Sequence, residues 1–97
     1  MKSEHGQIQG DIEINSEIEM HGQFTGHVIV GNGGYLILFG QAAQSLTVEL
    51  GAVVEILGMV VGDVINNGGK VSITGTIIGK VIEHAGETNI SPSASIG

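Results

Sequence analysis

The chain has 97 residues, of which 17 are Gly, 13% are charged, 3% are aromatic and 41% are apolar; that is one small domain, and too apolar for a disordered chain. A single Pro without a three-residue Gly period excludes collagen, and zero Cys excludes disulfide scaffolds, thiol catalysis and thiolate zinc sites. Ten acidic residues against three basic give a formal charge of −7, which argues against nucleic-acid and anionic-membrane partners.

No apolar run of membrane-spanning length and no signal-peptide core occurs, so a cytoplasmic chain is expected. Residues 1–5 read as a short lead-in, and a repeat then governs the sequence. Its first copy sets Ile8 between Gly6 and Gly10, followed by the alternating pairs Ile12/Ile14 and Ile18/Met20. The second sets Phe24 between Gly22 and Gly26, then Val28/Val30 and, beyond Gly31-Asn32-Gly33-Gly34, Leu36/Leu38. In the third, Gln44 stands where the second glycine after Gly40 would be, and Ala42, Leu46/Val48 and Val54/Ile56 follow the pattern. The fourth has Gly58, Val60, Gly62, Val64 with Asn66, and Val71/Ile73 beyond Asn66-Asn67-Gly68-Gly69. The fifth has Gly75, Ile77, Gly79, Val81 with Glu83, and Thr88/Ile90.

Alternation within each piece means short strands with one buried face. Three such pieces in 16 to 18 residues are too short for a hairpin-based blade and suit one rung of a parallel β-helix. The expected fold is all-β: a single-stranded parallel β-helix, or solenoid, of about five rungs. It forms one domain over 1–97, with repeats in 6–90 and a C-terminal cap in 91–97. The glycines are expected at corners, where a positive φ or a close approach of stacked backbones is required.

Counting by six from Ile12 reaches nine apolar residues in ten positions, ending at Asn66. That resembles the hexapeptide repeat of left-handed β-helical acyltransferases. The phase then slips, because Val71 and Ile77 continue the core while Ser72, Ile78 and His84 continue the count. Turns of variable length between the paired strands favour a right-handed helix.

Gly22-Gln-Phe-Thr-Gly26-His-Val-Ile-Val, Gly58-Met-Val-Val-Gly62-Asp-Val-Ile-Asn-Asn-Gly-Gly and Gly75-Thr-Ile-Ile-Gly79-Lys-Val resemble the repeats of bactofilins, bacterial polymer-forming cytoskeletal proteins. The resemblance covers roughly 6–90. It implies a right-handed β-helix that polymerises end to end without nucleotide, hence a structural protein whose partner is itself. Family members usually carry disordered tails, whereas residues 1–5 alone precede the first repeat here.

Outward residues should form columns up the helix. Asp11, His27, Ser45, Asp63 and Lys80 share one position, so Asp11–His27 and Asp63–Lys80 side-chain pairs are expected. His5 and His21 fall on neighbouring rungs, with Asp11 or Glu19 near enough to suggest a metal site beside the simpler reading of two exposed histidines. His27 and His84 are the candidates for a general base, but no substrate-anchoring motif accompanies either. No cofactor and no catalysis are therefore expected.

Two surfaces are candidate protein-contact sites. Asp11, Glu13, Glu17 and Glu19 make the first rung acidic, a solvated face or a docking surface for a basic partner. The columns Glu13, Ile29, Thr47, Ile65, Ile82 and Gln9, Thr25, Ala43, Val61, Ile78 turn apolar toward the C-terminal rungs, so Ile65, Ile82, Val61 and Ile78 are expected to form an interface. Burial of these isoleucines through a local exchange of faces around Asn66 and Glu83 is the competing reading.

The functional reading is a non-catalytic, self-assembling scaffold, as a dimer or a polymer. A compact acidic binder, such as an immunity protein that neutralises a basic toxin, is the alternative, and a hexapeptide-like acyltransferase is the third. The acidic first rung and Pro92 in the tail both read as partial stops, so filaments should be less robust than the family implies.

Overall fold

Each of the first three repeats supplies three short strands because its alternating pieces are interrupted at corners where the chain turns, and in the last two repeats two of the pieces merge into one ten-residue strand. The computed structural model describes residues 2–97. Its strands are β1 (Lys2–Glu4), β2 (Gln7–Ile8), β3 (Ile12–Ile14), β4 (Glu17–Met20), β5 (Gln23–Phe24), β6 (Val28–Val30), β7 (Tyr35–Leu38) and β8 (Gln41–Ala42). They continue as β9 (Leu46–Val48), β10 (Val53–Ile56), β11 (Met59–Val60), β12 (Val64–Ile73), β13 (Thr76–Ile77), β14 (Val81–Ile90) and β15 (Ser95–Ile96). Every pairing is parallel and joins equivalent strands of successive rungs, as in a β-solenoid of about five turns. No helix occurs among the described residues, so none is long and apolar enough to cross a membrane.

The register is the one the repeat dictates. Ile12 pairs with Val28, Val28 with Leu46, Leu46 with Val64 and Val64 with Val81, forming one inward column. A second column runs Ile8, Phe24, Ala42, Val60, Ile77 and Ile96. Ile18, Leu36, Val54, Val71 and Thr88 make a third. Side chains from these columns fill a single core, in which Phe24, Leu46, Val60 and Val64 are fully buried. Where the six-residue count and the core part company, the core prevails: Val71 and Ile77 are buried, whereas Ile78 and His84 are exposed.

Asn66 takes an inward place and is fully buried. Its Nδ2 donates to the carbonyls of Gly69 and Glu87 and to Thr88 Oγ1 at 3.0 to 3.2 Å. Its Oδ1 accepts the Gly68 and Gly69 N–H groups at 3.1 and 2.8 Å. A buried amide so fully engaged does not carry the penalty of an unpaired polar group. The corner is thereby tied down with little break in the strand, and β12 runs through two sides of the rung with a local register shift at Asn67.

Four glycines mark another corner for a reason the torsions do not supply. Gly22, Gly40, Gly58 and Gly75 have no positive φ. A Cβ at each would lie 1.8 to 2.0 Å from the carbonyl oxygen of the corresponding glycine one rung below. The constraint is contact between stacked backbones rather than backbone conformation.

Both ends differ from expectation. The lead-in contains a strand, with Lys2, Ser3 and Glu4 in register with Ile18, Glu19 and Met20. In the expected cap, Pro92 occupies a turn closed by an Ala94 N–H to Ser91 carbonyl bond, and Ser95–Ile96 then resumes the ladder beside β13. Pro92 therefore does not end the ladder within the chain, because pairing resumes beyond its turn at Ser95.

Candidate functional site

The candidate contact surface is built by period-two alternation on the fourth and fifth rungs. With Val64 and Asn66 inward, Ile65 must point outward, and it does so half-buried, between Thr47 below and Ile82 above. The exchange of faces around Asn66 does not occur. Val61 and Ile78 follow the inward Val60 and Ile77 and are 38% and 52% exposed. They lie across the Gly62/Gly79 corner from Ile65 and Ile82. Ile29 extends the first column downward as another exposed large apolar side chain. Leu50, at the tip of a turn and 74% exposed, escaped the periodic reading because it belongs to no strand. Ala52 was missed for the same reason, and it is buried under its corner.

Asp11, Glu13 and Glu17 are exposed and Glu19 is half-buried, so the acidic first rung is a surface feature. The aspartates nevertheless act differently from the expected pairing. Asp11 Oδ1 accepts the backbone N–H of His27 at 2.9 Å, and Asp63 Oδ1 accepts that of Lys80 at 2.8 Å. Each carboxylate satisfies a corner amide on the rung above instead of its side chain. Stacking places that N–H directly over the aspartate, whereas the longer His and Lys side chains extend into solvent.

His5 and His21 do meet, but face to face, with ring centroids 4.7 Å apart and planes 19° from parallel. Phe39 continues the stack at 4.7 Å and 3°. In-plane nitrogen lone pairs of stacked rings run side by side and do not converge on one ion. His21 Nε2 instead meets Glu19 Oε1 at 3.2 Å. No group of three or more His, Asp or Glu side chains suited to a metal gathers among the described residues. His27 and His84 are both exposed and lie on different rungs.

A shallow groove follows the corner between β10, β12 and β14, lined by Gly51, Ala52, Gly68, Gly69 and Gly86 with Lys70 and Glu87 at its side. Lys70 and Glu87 are ladder neighbours. Lower on the same column, Tyr35 donates its hydroxyl to the Glu55 carboxylate. That bond, then partial desolvation and the negative charges of Glu55 and Glu17, raise the Tyr35 phenol above its ordinary value. The fold therefore favours the neutral phenol. Its contribution is complete below the ordinary tyrosine range and is lost as pH rises through the raised value. Because the chain has one tyrosine, its ultraviolet titration reports this site alone. The midpoint should lie above that of a free tyrosine and fall toward it in Glu55→Gln; equal midpoints in parent and variant would refute the pairing.

No family model, curated protein or solved structure matches this chain.

Proposed function

We propose that this protein is a non-catalytic structural scaffold that associates with copies of itself through Ile65, Ile82, Val61 and Ile78. The observation that carries this reading is that four apolar side chains point outward together on the fourth and fifth rungs. Net charge is small there. Residues 58–97 hold three acidic residues against two Lys, a net −1, whereas residues 1–21 hold five against one Lys, a net −4. Cores of protein interfaces are apolar in this way. A second copy suits the patch because two such surfaces meet without opposing strong like charges. The resemblance to bactofilin repeats agrees with a scaffold role in the cytoplasm, and no cofactor, nucleic acid or membrane enters the proposal.

Sedimentation across a concentration series, on the parent and on Ile65→Thr/Ile82→Thr, tests this. Threonine retains the β-branch that suits a strand, so the fold should be little affected. Association should be lost with the melting temperature nearly unchanged. A large fall in melting temperature with association intact would place both residues in a structural role and sink the proposal.

The exposed acidic face of Asp11, Glu13 and Glu17 favours one second reading, a compact binder of a basic protein such as a toxin. A parent that stays monomeric at every concentration would shift the balance to it. The acyltransferase reading has no comparable support, since the six-residue count lands on exposed Ile78 and His84 in the last rung.

A further inference from the structure

The chain contains two Asn-Gly dipeptides, Asn32-Gly33 and Asn67-Gly68, at the same corner of different rungs. Glycine after asparagine leaves the following amide nitrogen unhindered, so the Asn carboxamide carbon is within its reach once the backbone can rotate. The two corners hold that nitrogen very differently. Asn32 is exposed in a turn, and the Gly33 N–H has a single long bond, 3.3 Å to the Gly51 carbonyl on the rung above. Gly33 also has φ +84, outside the extended ladder. Asn67 is exposed too, but it lies within β12 and pairs with Ala85 of β14. The Gly68 N–H is held by buried Asn66 Oδ1 at 3.1 Å, and the same oxygen holds Gly69 N–H at 2.8 Å.

We propose that Asn32 is a site of spontaneous deamidation and isoaspartate formation, and that buried Asn66 shields Asn67-Gly68 from the same reaction. At Asn32 the Gly33 amide gives up its proton to base, and its nitrogen bonds to the Asn32 side-chain carbonyl carbon. The carbon–nitrogen bond of the carboxamide breaks and ammonia leaves, giving a five-membered succinimide. Water then opens either ring carbonyl, leaving aspartate or isoaspartate. The net change is loss of ammonia and gain of water, with no oxidation or reduction. At Asn67 the same attack first requires release of Gly68 from Asn66 and opening of the β12–β14 pairing. Each product adds a negative charge at the Asn32 corner, and isoaspartate also lengthens the backbone beneath Gly51.

Incubation of the folded protein in mildly alkaline buffer, followed by proteolysis and peptide mass spectrometry, tests the assignment. Isoaspartate is identified by methylation with protein isoaspartyl methyltransferase. Denatured chain incubated alongside supplies the intrinsic rate at each dipeptide. Denatured chains should react at both sites, and folded protein at Asn32 about tenfold or more faster than at Asn67, since the ordered corner must open locally before Asn67 can react. Equal rates in the folded protein, faster reaction at Asn67, or no reaction at Asn32 while the denatured chain reacts, would each overturn the proposal.

Discussion

Replacing Leu46 with Asp should abolish folding. Leu46 is fully buried, stacked between Val28 on one side and Val64 on the other, in the middle rung where neither end of the solenoid can relieve it. A carboxylate there has no donor nearby and must either ionise in apolar surroundings or take up a proton. Either route, with the lost packing, costs about 4–5 kcal/mol or more. A domain of this size has roughly 5–15 kcal/mol in total. Circular dichroism and thermal melting should show an unfolded or barely folded chain. Thr47→Asp, one residue along and pointing outward, is the matched control and should melt within a few degrees of the parent. A Leu46→Asp protein that melts like Thr47→Asp would show the register of the whole inward column to be wrong.

The second large effect is expected from the smallest possible substitution. In Gly40→Ala the added Cβ would stand 1.8 Å from the Gly22 carbonyl oxygen and 2.9 Å from its carbon. Backbone cannot step aside as a side-chain tip can, so two rungs must separate locally and their ladder bonds lengthen. Overpacking of this kind costs about 3 kcal/mol or more, and at this size that lowers the melting temperature by on the order of 15 °C. Gly6 holds the equivalent place on the first rung, where an added Cβ meets nothing within 4 Å. Gly6→Ala should therefore be neutral or slightly stabilising, because alanine restricts the unfolded chain. The pair isolates the inter-rung contact from any general preference for glycine. Comparable melting of the two variants would mean that the glycines serve some other purpose.

Much of the candidate contact surface was legible before the structure. Ile65 and Ile82 are outward because Val64 and Asn66 flank one and Val81 and Glu83 the other, and alternation leaves no choice once the inward face is known. The polar character of Asn66 left a faces-exchanged alternative open in the sequence. What closes it is the set of partners that Asn66 finds inside: two glycine amides of its own corner and three acceptors, two of them on the rung above. A sequence shows that an asparagine interrupts an apolar pattern, but it does not show who will meet its amide.

The rung, the inward columns and their order can be read along the chain, because these follow from a period of two within strands and a spacing of 16 to 18 residues between copies. What lies between rungs is set by the folded solenoid. It set the first glycines of four copies against carbonyl oxygens, and it turned Asp11 and Asp63 to backbone amides instead of to the side chains of His27 and Lys80. It also stacked His5 on His21, brought Tyr35 to Glu55, and drew Lys2–Glu4 and Ser95–Ile96 into the ladders. The division has one physical cause. Strand alternation is local and can be read along the chain. Contacts along the helix axis depend on how corners of unequal length align one rung over the next, and that alignment exists only once the solenoid has closed.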